Sequence, residues 1–160
     1  MSKTQNPGCL IGILQLAGLL PSKSSDTDEF PYTSKEQLLT KAEKVFFGRL
    51  EEAVASKYRI FAMVRLADLI QVEKGTEKWQ SYFNKIQSKH IDFILCDLDN
   101  IKPVLAIELD DASHQREDRK KRDEFLEGAL NAARLPLLRV PVKRDYDVEV
   151  LRNSIEAFNS

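Results

Sequence analysis

Residues 90–110 read HIDFILCDLDNIKPVLAIELD, and this stretch decides the fold. His90–Asp97 and Pro103–Asp110 are two strand-length apolar runs separated by a short turn at Leu98–Lys102. They predict an antiparallel hairpin. With the turn centred on Asn100, Asp92 faces Glu108 and His90 faces Asp110. Side chains alternate between the two faces of a strand. Ile91, Phe93 and Leu95 therefore share a wholly apolar face with Leu105, Ile107 and Leu109. The opposite face carries His90, Asp92, Ile94 and Cys96 beside Val104, Ala106, Glu108 and Asp110. That face is apolar near the turn and acidic at its far end.

Three carboxylates and an imidazole thus gather at one end of a half-buried sheet face. Directly opposed residues have Cβ atoms roughly 4.5–5.5 Å apart, and like charges there repel. A shared proton, a basic side chain or a divalent cation offsets that repulsion. Mg²⁺ suits the position because it takes one or two carboxylates and completes its shell with water or phosphate. The plain alternative is a solvent-facing acidic patch with Lys or Arg neighbours. A one-residue bulge in the turn would separate the facing pairs.

Outward from the hairpin, the pattern continues as alternating helices and strands. Ser34–Gln37 and Thr40–Glu43 both have capping-box spacing, and a helix with Leu39, Ala42, Val45, Phe46, Leu50, Ala53 and Val54 follows. Tyr58–Leu66 reads as a strand, Trp79–Ile86 as a short helix and Leu135–Pro141 as a buried strand. A charged helix runs from Ser113 to about Ala133, and Asp147–Phe158 reads as an amphipathic helix. The order predicts an α/β domain with a sheet of about four strands covered by helices.

The chain has 160 residues, with 24 Lys+Arg against 25 Asp+Glu, which is room for one domain and provides no global basic field. Binding to nucleic acid would need a local patch. Cys9 and Cys96 are the two cysteines, too few and too far apart for a disulfide framework or a zinc site. Their use fits a cytoplasmic protein. Residues 1–33 differ from the rest. Cys9–Leu20 is an apolar run too short to span a bilayer, and Pro21–Thr33 reads as a linker. Residues 9–20 suggest a short helix against the domain or a partner, or a membrane-associating segment. Residues 34–160 form the expected domain.

The run Arg116–Arg122 holds five basic and two acidic residues and begins where the acidic cluster ends. It reads either as a solvated helix face or as a phosphate-contacting one, with Arg119, Lys120 and Lys121 as the contacts. His114, at a strand-to-helix junction, suits proton transfer, metal binding or helix capping. Arg139 sits inside an apolar strand and needs a partner, either the carboxylates or a phosphate. Trp79 and Tyr82 read as core or lid residues, with base stacking as an alternative.

The strings KHIDFILCD, AIELDDASH, Arg122–Asp123 and LPLLRVP, in that order, resemble the bacterial family catalogued as domain of unknown function 2726. PYTSKEQLLTKAEKVFF and VRLADLI are similar to it as well, so the resemblance covers about Tyr32 to Phe158. That family is placed in the PD-(D/E)xK nuclease-like superfamily. The resemblance implies a single restriction-endonuclease-like domain with an α-β-β-β-α-β core and a four-stranded mixed sheet. It also implies Mg²⁺- or Mn²⁺-dependent phosphodiester cleavage. On it, Asp92 and Glu108 are metal ligands, with Asp110 as third ligand or water-orienting group. Glu43 matches an amino-terminal helix glutamate, beside its reading as a capping-box side chain. The superfamily's lysine two positions after Glu108 is replaced by Asp110. The expected function is a metal-dependent nuclease acting on nucleic acid, most simply DNA. The alternatives are a non-catalytic nucleic-acid-binding or protein-interaction module, and a membrane-associated protein located by its amino-terminal segment.

Overall fold

A computed structural model describes residues 30–110 and 117–158, the side chains of 117–120 excepted. The expectations for residues 1–29, including the apolar segment 9–20, and for His114 lie outside the described residues. The chain divides at Glu36/Gln37 into two units, and every regular element described belongs to the second. In the first, the exposed rings of Phe30 and Tyr32 stack with centroids 6.2 Å apart.

The second unit runs α1 (Lys41–Val54), β1 (Arg59–Arg65), α2 (Leu66–Leu69), α3 (Trp79–Gln87), β2 (His90–Cys96), β3 (Pro103–Asp110), α4 (Glu117–Ala132), β4 (Leu137–Pro141) and α5 (Val148–Glu156). The sheet order is β1-β2-β3-β4, antiparallel except for the parallel β3–β4 pair joined through α4. This is the expected mixed four-stranded sheet flanked by helices. No described helix is long and apolar enough to cross a membrane.

Local chemistry sets the element ends. Thr40 caps α1: its hydroxyl accepts from Glu43 N at 3.3 Å, while Glu43 Oε2 accepts from Thr40 N at 2.7 Å. The Ser34–Gln37 spacing starts no helix, because the chain there is irregular up to Thr40. Asp147 caps α5 by accepting from the backbone of Glu149 and Val150. α2 was not expected; the strand ends at Arg65, where Leu66 turns inward and is fully buried.

Two apolar layers cover the sheet. Phe46, Leu50, Ala53 and Val54 of α1, spaced i, i+4, i+7 and i+8, join Leu151 and Ile155 of α5 against Phe93, Leu95, Leu105 and Ile107. Phe46 meets Phe93 with ring centroids 5.4 Å apart. On the other side Leu126 and Leu130 of α4, with Leu66 and Ile86, cover Ile94, Cys96 and Ala106. Each large apolar side chain fully buried in these layers contributes roughly 1.5–3 kcal/mol.

The hairpin register holds for Phe93↔Ile107, Ile94↔Ala106 and Leu95↔Leu105, and shifts by one at Cys96↔Pro103. Three expectations change. Ile91 packs with Leu66 and Ile86 rather than with Phe93 and Leu95. Its β1 partner Val64 changes layers in the same way, while Ala62 stays with Phe93. Between them Met63 has φ 55, a left-handed conformation that rotates the ribbon at the level of Asp92. Trp79 and Tyr82 are not core residues, being 41% and 49% exposed. His90 pairs with Arg65 and stands near Asp68, while Asp110 pairs with Pro141 of β4, so the two do not face each other in the ladder.

Candidate active site

Asp92 and Glu108 lie where the regular β2–β3 ladder ends. Beyond Phe93↔Ile107 the two carboxylates take over from backbone carbonyls as acceptors. Asp92 Oδ2 accepts from Leu109 N at 2.8 Å, and Glu108 Oε1 accepts from Asp92 N at 3.3 Å. Each side chain thereby ties itself to the opposite strand. Asp92 Oδ1 and Glu108 Oε2 accept no hydrogen bond from the described residues, which leaves one oxygen of each for a ligand.

Glu108 is 7% exposed and is the buried charged residue of the core. Burial, then the neighbouring Asp92 charge, push its carboxyl up to about 7, against the partial relief of Arg122, the Asp92 N–H and Arg139. Asp92 is also raised, chiefly by burial, with the Glu43 and Asp110 charges adding to it. The Leu109 N–H and Arg122 pull it back. Burial and the neighbouring carboxylate thus shift both groups toward the protonated form.

The surrounding charges come from every layer. Glu43 closes the capping box with its carboxylate, as the spacing predicts, and its charge also raises Asp92 from α1. Arg139 lies beside Glu108 in the parallel β3–β4 register. Its Nη1 donates to Asp110 Oδ1 at 2.8 Å, and its Nη2, buried without a hydrogen bond, lies 3.5 Å from Asp123 Oδ1. Asp110 is thus directed to Arg139, not to the Asp92–Glu108 pair. Among the described residues, no three His, Cys, Asp or Glu side chains gather as a metal-binding group. Lys121 is exposed on α4; the Arg119 and Lys120 side chains, and all of His114, lie outside the described residues.

Sequence reasoning missed Arg122, whose charge acts on both carboxylates. A signal was present: Arg122 precedes the buried Leu126 by four residues, so it sits one turn up the same helix side. Met63 gave no such signal, because nothing in an alternating strand announces a left-handed residue.

A family model described as protein of unknown function (DUF2726) matches residues 35–158. The chain belongs to this family. The DUF2726 match takes in all nine described elements, from the α1 cap to the end of α5. Comparison with curated proteins and with solved structures returns no match.

Proposed function

We propose that this DUF2726 domain is a metal-dependent phosphodiesterase of the PD-(D/E)xK nuclease-like type, acting on nucleic acid. One observation carries the reading: two carboxylates from adjacent strands, one of them buried, each have an oxygen that accepts no hydrogen bond from the described residues. Two hard oxygen donors with room for water fit Mg²⁺ or Mn²⁺. Asp92 and Glu108 would hold such an ion, which would supply Lewis-acid assistance to a phosphoryl oxygen and acidify water.

The chain's own residues do the rest. Asp110 and Asp123 hold Arg139 beside Glu108, and Arg122 adds a second cation from α4. These arginines stand in for the lysine that Asp110 replaces and attract a phosphodiester. Arg119, Lys120 and Lys121 are the proposed phosphate contacts. His114, four residues after Asp110, is the proposed proton carrier. Glu43 completes the acidic surroundings from α1.

Calorimetric titration with Mn²⁺ tests this on the wild type, Asp92→Asn and Glu108→Gln, each first checked for a wild-type circular dichroism spectrum. The reading expects binding in the wild type, at least tenfold weaker binding in each variant, and metal-dependent cleavage only in the wild type. No binding at millimolar metal with nucleic acid present overturns it. A second reading, a non-catalytic nucleic-acid-binding module, is favoured by the pinning of Asp110 to Arg139. It expects salt-sensitive binding with no cleavage in any metal.

A further inference from the structure

Residues 78–91, KWQSYFNKIQSKHI, contain three lysines and a histidine and no acidic residue, in a chain of net charge −1. Tyr82 and Lys85 are three residues apart on α3, and Lys85 and Lys89 both reach the Phe125 ring, so these three residues form one stripe. The lysine at 85 lies over the Tyr82 ring at 5.3 Å, and Lys89 lies over Phe125 at 4.7 Å. Among the described residues neither lysine makes an ion pair. Trp79 stacks on Phe83 with centroids 4.9 Å apart and remains 41% exposed. Tyr82 and Phe125 also line a groove of about 560 Å³ between α3 and α4. The acidic residues Glu73 and Glu124 line that groove too, which keeps phosphate on the lysine side.

Exposed aromatic rings interleaved with unpaired cations match the chemistry of an unpaired nucleic-acid strand. Bases stack on the rings while lysines follow the phosphates. Duplex bases offer no free face for such stacking. Lys89 leads into β2, and Asp92 follows three residues later, roughly 10 Å along an extended chain. The stripe's last lysine thus stands at the start of the strand that carries Asp92.

We propose that the stripe of Tyr82, Lys85 and Lys89, with the exposed Trp79 ring beside it, is a docking path for single-stranded nucleic acid leading to Asp92 and Glu108. The placement of its end rests on the phosphodiesterase reading; the binding itself does not. Trp79 is the sole tryptophan, so its fluorescence reports the contact directly. Oligothymidylate is titrated into the full chain in EDTA, which separates binding from cleavage. The proposal expects quenching by the single strand and not by a duplex of equal length. Tyr82→Ala and Lys85→Gln each weaken binding about tenfold. Lys85→Gln also lowers the salt slope by about 0.7. Glu108→Gln keeps the quenching, even if it abolishes cleavage. Quenching without cleavage in any metal upholds the path and defeats the phosphodiesterase reading. Absence of quenching, equal quenching by duplex, or unaltered binding by both variants overturns the path, even if the wild type cleaves DNA. Capture of an acidic peptide in place of the oligonucleotide overturns it as well.

Discussion

The β2–β3 hairpin has two halves built by different rules. Near the turn, Phe93–Leu95 pairs with Leu105–Ile107 through an unbroken backbone ladder, and the side chains fill both apolar layers. At the far end the ladder gives way to Asp92 and Glu108, and Met63 on the neighbouring strand turns left-handed. The first half gains stability from every residue it buries. The second buries charge beside charge, and such an arrangement costs stability unless a proton or a cation offsets it. The difference teaches that the two ends of one ribbon serve different purposes: the turn half holds the domain together, and the open half is held in place by it.

The largest expected effect breaks the stable half. Phe93→Ala removes a fully buried ring that contacts Phe46 and Phe47, and should cost about 3–5 kcal/mol in denaturant unfolding. A loss under about 1 kcal/mol would show that the turn half does not carry the core.

The next prediction sharpens the acidic half. Glu108 has a folded value of about 7 against an ordinary value of 4.5, so in that window the folded state holds a proton the unfolded state has released. Stability therefore falls as pH rises from the lower value to the upper, by at most about 3 kcal/mol, and the raised Asp92 acts in the same direction. Glu108→Gln should flatten most of this slope. Saturating Mn²⁺ should reverse it, because the cation displaces the proton. A wild-type curve that rises over the window would refute the buried, protonated state.

Arg139→Gln tests the link between the halves and β4. It leaves Asp110 and Asp123 without their cation and should destabilise the domain by about 1–2 kcal/mol at neutral pH. It should also raise the Glu108 midpoint, since Arg139 lowers it. An unchanged pH profile would place Arg139 outside the carboxylate field. The smallest effect expected is that of Thr40→Ala, about 1 kcal/mol from loss of the α1 cap, read as a lower unfolding midpoint. Because the cap occupies Glu43, metal titration of this variant also asks whether freeing that carboxylate strengthens binding.

Much of this was legible in the residues. The pairing sum that placed Asp92 opposite Glu108 came from two apolar runs about a single turn, and it survives in the three central pairs. Arg139 announced its need for a partner by standing in an apolar strand. Ile91 was misplaced because strict alternation assumes an untwisted strand, and the Met63 rotation breaks that assumption. The hairpin pattern alone groups Asp110 with the other carboxylates. The parallel strand β4, far along the chain, brings the arginine that claims it.

By itself, then, the sequence determined the alternation of helices and strands, the hairpin register and the gathering of acidic residues at one strand end. These follow from short-range periodicity, which needs no knowledge of distant neighbours. The tertiary structure alone decided which carboxylates stay together and which is drawn off by Arg139. It also decided that the Arg122 charge reaches the pair and that α3 leaves Trp79 and Tyr82 exposed. Those outcomes depend on burial and on charges delivered by elements remote in sequence, and both exist only once the layers have closed.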